Sequence, residues 1–402
     1  MPPLRIVHTA DFHLGASLRE VSDPALEMER ERDYLKQLNE ISRYALSKEV
    51  DFLLVAGDVF NTPRPSGYLL DEFAKFVYAL TSHSIKVVVI PGNHDQPRAA
   101  HTEAYMKALA DVGAPNFYVF RYPEVEVLEG LKSGRRVRFI ALPYLSPQML
   151  EEVEFTRRIE GKLNELKARE TPNLDYTVIV AHLYVEGAKL GAEQRIATLN
   201  DYPLPRNILL SGDVDLVCLG HIHTHQLLHE KIAYSGSIER VDFGEEGEEK
   251  GFIYVEEKGG GLQTNFIHLD CRPMLTLPKD GYFDLTNEVN VAQALLNAIR
   301  EEEVPEGAIL RILAKLGPRQ SLARSVVNDL IKEKKILYCY PQFERTAQHK
   351  AQKTGGAAQP IREFFAKYVE ASLSKKVAGE VLELVKREGL RIIDEVEAER
   401  SR

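Results

Sequence analysis

The chain has 402 residues, of which 44% are hydrophobic and 28% are charged, and its formal net charge is −9. This length allows two or three domains, and an acidic balance does not by itself indicate a nucleic-acid-binding protein. No apolar run approaches the roughly 20 residues that cross a bilayer, and the N-terminal stretch MPPLRIVHTADFHLG lacks the layout of a signal peptide. We therefore expect a cytoplasmic protein with no membrane contact.

The cysteines are few and lie far apart in the sequence. Cys218, Cys271 and Cys339 form no C-x-x-C pair. This spacing disfavours both a disulfide framework and a metal site built from thiolates. We expect each cysteine to be a small core residue.

Five short apolar runs end in polar residues of metal-binding type. Runs of about four to eight apolar, β-branched residues predict strands that are buried on both faces. The runs are LRIVHTA before Asp11 and His13, VDFLLVAG before Asp58, KVVVIPG before Asn93, His94 and Asp95, YTVIVA before His182, and DLVCLG before His221 and His223.

Amphipathic helices are predicted between the early strands. In 26–46 and in 66–80, apolar residues recur at helical spacing. Strands and helices alternate, so the fold class is α/β. Proteins of this class place ligands outside the carboxyl edge of the sheet, which is where the polar residues would lie.

Two hairpins indicate that part of the sheet structure is antiparallel. One turns at Ser133-Gly134, and the other turns at the glycines 259–261. A charged helix is predicted over 148–170. We expect a mixed sheet or a sandwich of two sheets.

The pattern changes near residue 271, which divides the chain into predicted regions. Residues 1–270 form the first domain, and 271–344 form a small α/β module with helices at 290–302 and 319–335 and strands at 307–317 and 336–343. Residues 345–359 have little apolar periodicity and predict a flexible linker. Residues 360–402 form a helical tail.

The tail carries two apolar stripes at helical spacing. One stripe consists of Ile361, Phe364, Phe365, Tyr368 and Val369, and the other of Val377, Val381, Leu384, Val385, Ile392 and Val396. Such a tethered helical pair either folds back on its own core or docks on a helix of a partner protein. The linker favours a partner.

Together the strand ends supply seven metal-ligand side chains. Mixed carboxylate, amide and imidazole donors suit Mn²⁺, Fe²⁺ or Zn²⁺ better than Ca²⁺ or Mg²⁺. Seven donors exceed what one catalytic ion needs, whereas two ions that share a carboxylate fit the number. A pair of ions about 3.5–4 Å apart can activate water and clamp the oxygens of a phosphoester. The set is Asp11, His13, Asp58, Asn93, His182, His221 and His223.

The motifs DxH, GDxF, GNHD, a single histidine and GHxH occur in this order over residues 11–223. This series resembles the calcineurin-like metallophosphoesterase superfamily. The segment SGSIERVDFGEE at 235–246 is similar to that of the SbcD family of bacterial nuclease subunits. The implied fold is a two-sheet sandwich flanked by helices, with a small α/β cap domain and a C-terminal helical tail.

The resemblance also implies a role for each site residue. Asp11, His13, Asp58 and His223 would hold the first ion, and Asp58, Asn93, His182 and His221 the second. His94 would face the leaving oxygen and Asp95 would orient His94, although a carboxylate that caps the turn after Gly92-Asn93 is the alternative for Asp95. Asn61 stands where some relatives have a histidine.

Other residues of similar type have simpler interpretations. We expect His8 to be a core residue and His225 not to be a ligand, because the family motif ends at His223. Arg135, Arg136 and Arg138 flank a turn, where they could touch phosphates, but arginines at a turn are usually solvated.

The resemblance implies a Mn²⁺-dependent DNA nuclease that acts as an exonuclease or endonuclease. Its partners would be DNA and a coiled-coil ATPase of the SbcC type, bound through 360–402, and the nuclease would be a homodimer within a heterotetramer that repairs DNA ends. The alternative is a phosphatase or nucleotidase with small substrates, since the five motifs encode phosphoester chemistry and not substrate size.

Overall fold

The computed structural model describes residues 2–18, 23–96, 105–111, 113–146, 151–169, 172–190, 201–210, 212–345, 365, 368–370 and 379–400. Two compact units are formed, Met1–Thr346 and Ala347–Arg402. Within the part of the chain that is described, no helix has both the length and the apolar character that crossing a membrane requires.

The strands and helices follow each other in an order close to the predicted one. The strands are β1 (Arg5–Thr9), β2 (Phe52–Ala56), β3 (Lys86–Ile90), β4 (Phe117–Val119), β5 (Glu124–Glu129), β6 (Arg136–Leu142), β7 (Tyr176–His182), β8 (Leu216–Gly220), β9 (Gln226–His229), β10 (Ile232–Tyr234), β11 (Gly251–Lys258), β12 (Gly261–His268), β13 (Met274–Leu277), β14 (Phe283–Asp284), β15 (Ile309–Leu316) and β16 (Tyr338–Arg345). The helices are α1 (Pro24–Ser47), α2 (Gly67–Thr81), α3 (Tyr105–Asp111), α4 (Glu152–Lys167), α5 (Arg206–Leu210), α6 (Val291–Arg300), α7 (Arg324–Lys334) and α8 (Gly379–Arg400).

Two six-stranded mixed sheets carry the site. The first has the order β12-β11-β1-β2-β3-β4, and the second has the order β5-β6-β7-β8-β10-β9. The central strands are parallel, whereas the two predicted hairpins form antiparallel pairs at one edge of each sheet. The prediction of an α/β two-sheet sandwich is confirmed.

Alternating side chains of the central strands point to different layers. Leu54 of β2 packs with Val180 of β7 in the core between the sheets. Leu53 points the other way and packs with Ile41 of α1 and Phe73 of α2. The second sheet packs its outer face against α4 and α5. Because both faces of these strands are covered, their sequences are continuously apolar.

Side-chain caps fix the starts of the two helices that cover the first sheet. Asp23 accepts hydrogen bonds from the backbone N–H groups of Ala25 and Leu26 at the start of α1. Ser66 accepts one from the backbone N–H of Leu69 at the start of α2. These acceptors satisfy N–H groups that have no partner inside the helix, and they define where each helix begins.

Residues 274–345 form a third sheet with a core of its own. β15 is its central strand and pairs in parallel with β13, β14 and β16. The core includes Leu295 of α6 and Leu330 of α7, which are both fully buried. The sequence predicted β15, β16 and both helices but missed β13 and β14, which are short.

The second unit is described only in part, and the predicted linker lies almost entirely outside the described residues. The ring of Phe365 lies so close to Gly389 of α8 that a side chain there would collide with it. Val369 and Leu382 are buried. The side chains of Tyr368, Val381, Leu384 and Val385 are exposed and form what we call the tail face.

Candidate metal centre

The polar residues that follow β1, β2, β3, β7 and β8 meet at one edge of the sandwich. The backbone N–H of His221 donates to both carboxylate oxygens of Asp11, at 3.0 and 3.1 Å. The backbone N–H of His94 donates to Asp58 Oδ1 at 2.8 Å. The structure thus brings all seven predicted ligands and His94 into one cluster.

Four of the predicted ligands adopt a backbone conformation that side chains rarely take. The φ angles are 52° at Asp11, 46° at His13, 53° at Asp58 and 95° at His221. Such conformations cost free energy and persist where the surroundings enforce them, commonly at functional sites. The local backbone here is therefore shaped by the cluster and not by propensity.

Glycines leave room for the cluster at two motif positions. A Cβ atom on Gly57 would collide with the ring of His182, and one on Gly92 would collide with the carboxylate of Asp58. Gly57 also has a φ of +94°, which glycine adopts without steric cost. The glycines of the GD and GNHD motifs are therefore required by close approach.

The first half-site consists of Asp11, His13, His223 and the shared Asp58. Nε2 of His13 lies 2.9 Å from Nε2 of His223 and 3.6 Å from Asp58 Oδ2. Ligand atoms of Asp11, His13 and His223 all lie within 4.8 Å of one another. Asp11 and His13 are almost completely buried.

The second half-site consists of Asn93, His182, His221 and the same Asp58. Asn93 Oδ1 lies 3.0 Å from His182 Nε2 and 3.1 Å from His221 Nδ1. His182 Nε2 lies 3.4 Å from Asp58 Oδ2. The single oxygen Oδ2 of Asp58 thus lies between the two half-sites, as a bridging carboxylate would.

Each of the four histidines uses its outward nitrogen for an oxygen acceptor. These contacts are His13 Nδ1 to Asn61 Oδ1 at 3.3 Å, His182 Nδ1 to the Ala56 carbonyl at 2.7 Å, His221 Nε2 to Asp201 Oδ2 at 2.9 Å, and His223 Nδ1 to Glu245 Oε1 at 2.5 Å. Because an oxygen acceptor needs an N–H partner, the inward nitrogen of each ring is left with its lone pair.

The inward lone pairs face other lone pairs, and only a cation resolves that conflict. The two Nε2 atoms of His13 and His223 face each other, and His182 Nε2 faces the oxygens of Asn93 and Asp58. A proton or a metal ion can lie between such atoms. The buried carboxylates in the same groups favour a divalent ion, so the donors present fit two divalent metal ions.

The electrostatics of the cluster agree with that conclusion. Burial by itself lowers the pKa of His182, but Asp58 and Asp11 outweigh it and raise the pKa to about 9. Burial raises the pKa of Asp58, yet His182 and His13 hold it well below its usual range. The same negative field that attracts a proton to His182 attracts a metal ion.

His94 lies beside the first half-site with one nitrogen engaged. Its Nδ1 donates to the backbone carbonyl of Asn61 at 3.0 Å, and its ring meets that of His13 edge-on at 4.8 Å. A ligand atom of His94 also lies within 4.8 Å of those of His13 and Asp58. Since Nδ1 is used, Nε2 is the nitrogen left to meet a substrate.

The contacts of Asp95 differ from those expected of a residue that orients His94 directly. Its carboxylate accepts hydrogen bonds from the backbone N–H groups of Val59, Phe60 and Gly92, at 3.1, 2.9 and 2.9 Å. Its partners are those of the turn-capping alternative. The expected hydrogen bond to His94 is replaced because His94 Nδ1 reaches the Asn61 carbonyl instead. Asp95 ties the loop of Asp58 to the loop of His94 through the backbone.

Sequence reasoning missed the outer partners Asp201 and Glu245. Tyr144 donates its hydroxyl to Asp201 Oδ1 at 2.9 Å, and Lys250 contacts Glu245 Oε2 at 2.7 Å. Glu245 is part of the segment 235–246 that carried the family resemblance, which was the available signal. Asp201 belongs to no motif, and only the fold brings it to His221.

The remaining histidines and the turn arginines have structural partners. Nε2 of His8 lies 3.1 Å from the Leu219 carbonyl, and the ring of His225 stacks on that of Phe266 at 3.9 Å. Arg135 pairs with Glu257, whereas Arg136 and Arg138 lie against backbone carbonyls. His8 is a core residue as predicted, and the arginines are used within the fold.

A two-sheet α/β sandwich with a carboxylate-bridged cluster of histidines at its edge defines a hydrolase that acts on phosphoester bonds with two divalent ions. Residues 4–225 match the family described as Calcineurin-like phosphoesterase. Since the match spans more than half of the 402 residues, the chain belongs to that family.

Curated relatives narrow the similarity, and each of them is the SbcD subunit of an SbcCD nuclease. That of Rhodobacter capsulatus is 29% identical over 318 residues, covering 69% of this chain and 72% of the relative. That of Staphylococcus epidermidis is 25% identical over 303 residues, covering 71% and 75%. That of Bacillus subtilis is 29% identical over 280 residues, covering 65% and 68%. The predicted resemblance is confirmed.

Proposed function

We propose that the protein is a Mn²⁺-dependent DNA nuclease and the phosphodiesterase subunit of an ATP-driven complex that processes DNA ends. The observation that carries the chemistry is the position of Asp58 Oδ2, 3.6 Å from His13 Nε2 and 3.4 Å from His182 Nε2. One buried oxygen between two sets of inward nitrogens is the arrangement that a pair of ions needs.

We assign the ligands by half-site. The first ion is held by Asp11, His13, Asp58 and His223, and the second by Asp58, Asn93, His182 and His221. The mixture of imidazole, carboxylate and amide donors suits Mn²⁺. When bound, two such ions supply positive charge for the phosphoryl oxygens and lower the pKa of water.

The residues around the ions position the substrate and move the proton. His94 Nε2 gives a proton to the leaving oxygen of the scissile phosphodiester, because Nδ1 is occupied by the Asn61 carbonyl. Asp95 keeps His94 and Asp58 in register through three backbone hydrogen bonds. The buried walls of the cluster exclude bulk water from the two ions.

DNA as the substrate follows from the relatives and from the domain organisation. The relatives are nuclease subunits by name. We propose that residues 1–270 are the nuclease domain, 271–344 a cap that contacts DNA, 345–359 a linker and 360–402 a partner-binding tail. The cap has a sheet and a core of its own, which fits a separate role.

The tail face supports a partner protein. The exposed fractions are 62% for Tyr368, 46% for Val381, 47% for Leu384 and 36% for Val385. Apolar side chains grouped on one short helical unit are typical of a surface that another helix covers. We propose that this partner is the coiled coil of an SbcC-type ATPase, and that two nuclease chains form a homodimer within a heterotetramer.

Parallel assays test the proposed substrate. The purified protein with Mn²⁺ is incubated with linear duplex DNA, hairpin DNA and p-nitrophenyl phosphate. We expect cleavage of DNA at a catalytic efficiency far above that for the small ester. Efficient hydrolysis of p-nitrophenyl phosphate with no cleavage of either DNA would favour a phosphatase and overturn the nuclease.

Variants of the tail face test the proposed partner. Val381→Glu combined with Leu384→Glu should abolish co-purification with the ATPase and leave Mn²⁺-dependent cleavage of a short oligonucleotide unchanged. Arg387→Glu, on the same helix and 73% exposed at its side chain, is the control and should co-purify normally. Full co-purification of the double variant would contradict docking through the tail face.

A further inference from the structure

The carboxylate of Glu245 lies directly behind the histidine His223. Glu245 ends a short 3-10 helix, Phe243–Glu245, and is 4% exposed. Its Oε1 accepts a hydrogen bond from His223 Nδ1 at 2.5 Å. This contact forces the proton onto Nδ1 and aims the lone pair of Nε2 into the first half-site.

A buried lysine makes that carboxylate tolerable in the interior. Lys250 is 2% exposed, and its Nζ lies 2.7 Å from Glu245 Oε2. The same Nζ donates to the backbone carbonyl of His223 at 3.1 Å. Burying a carboxylate without a partner is costly, so the lysine stabilises Glu245 and fixes the backbone of His223 as well.

The remaining contacts of Glu245 hold its second oxygen. Val241 donates its backbone N–H to Oε2 at 3.1 Å, and Ser237 donates its hydroxyl to Oε2 at 3.4 Å. With Oε2 held by three groups, Oε1 has a fixed position relative to His223. The carboxylate is therefore held from behind and not free to rotate away from the ring.

We propose that Glu245, anchored by Lys250, is the positioning residue for the first metal ion and acts by fixing the tautomer and direction of His223. The inference rests on the proposed dimetal function. Because Glu245 touches His223 but none of the groups around Asn93, its influence is confined to the first half-site. The second half-site therefore serves as an internal reference.

The next residue in the chain is a matched control. The carboxylate of Glu246 accepts hydrogen bonds from the backbone N–H and the hydroxyl of Thr276, at 2.6 and 2.5 Å. Thr276 belongs to β13 and is not one of the proposed ligands. Glu246→Gln removes the same charge as Glu245→Gln, one residue away, with no contact to His223.

Calorimetric titration of the metal-free full chain with Mn²⁺ tests the proposal. Wild type should bind two ions. Glu245→Gln should bind the first ion on the order of 10- to 100-fold more weakly, the usual effect of losing an outer partner of a ligand, and should leave the second within about threefold. Glu246→Gln should bind both ions as wild type does.

The outcomes separate this inference from the proposed function. If wild type does not bind two ions, the dimetal site itself fails. If wild type binds two and Glu245→Gln binds both with unchanged affinity, or if Glu246→Gln weakens the first ion equally, the positioning role is contradicted. If Glu245→Gln does not fold, Glu245→Asp keeps the charge for Lys250 but draws it away from His223. The aspartate variant should still weaken the first ion alone, and unchanged affinity would contradict the role.

Discussion

The two half-sites share Asp58 but differ in charge. The first contains a second carboxylate, Asp11, which is fully buried, whereas the second contains the neutral amide of Asn93. Each has two imidazoles with oxygen partners behind them. The charge of the ligand set tunes metal affinity, so we expect the first half-site to bind its ion more tightly than the second.

The outer partners do not cancel this difference. The carboxylate behind His223 is paired with Lys250, while Asp201 behind His221 accepts from the neutral hydroxyl of Tyr144. The charge of Asp201 acts through one imidazole ring, whereas Asp11 lies within the ligand group itself. A direct ligand charge outweighs one at greater distance, since the interaction falls with separation.

The largest expected effect concerns His94, which geometry alone could place in the first half-site. His94→Ala should keep both ions and lose turnover by a factor on the order of 10²–10⁴, because a general acid acts on the reaction and not on the metal. Metal content and the rate of DNA cleavage are measured on the same sample. Loss of an ion from this variant would make His94 a ligand.

An exchange of charge between the half-sites should reverse their order. Asp11→Asn should weaken the first ion by at least on the order of tenfold, since it removes the charge that distinguishes that half-site. Asn93→Asp adds a carboxylate to the second half-site and should strengthen the second ion. Calorimetry resolves both steps, and equal affinities in wild type would refute the proposed asymmetry.

A smaller effect is expected at Asp95, which connects the loops of Asp58 and His94. Asp95→Ala leaves three buried backbone N–H groups without acceptors and should cost about 1–3 kcal/mol for each group that water cannot reach. Denaturant unfolding measures the loss. Asp71→Ala, on the exposed face of α2, should cost no more than about 1 kcal/mol. Equal stability of the two variants would show that Asp95 does not hold the loops.

The sequence predicted the site better than the parts that support it. The strands that carry ligands are continuous apolar runs, and a ligand follows each of them, so pattern and motif point to the same place. Asp201 and Lys250 escaped prediction because their roles depend on which loops the fold brings behind the histidines. A contact that joins Asp201 to His221 through side chains leaves no periodic signal in the sequence.

The fold follows the same division. Strands buried on both faces were predicted because their apolar runs are unbroken. The short strands β4, β9, β10, β13 and β14 were missed, since three or four residues are too few to establish a period and their pairing is set by the neighbouring strands. Gln226–His229 alternates between half-buried and exposed, which resembles a loop.

The metal content of Asp58→Ala tests the central claim, that one carboxylate oxygen serves both ions. Each protein is loaded with Mn²⁺, desalted and analysed for bound metal per chain. Wild type should retain two ions and Asn93→Ala one, because only the second half-site loses a ligand. Asp58→Ala should retain fewer than one, since both half-sites lose their shared oxygen. Two ions retained by Asp58→Ala, or as many as by Asn93→Ala, would contradict the bridging role of Asp58.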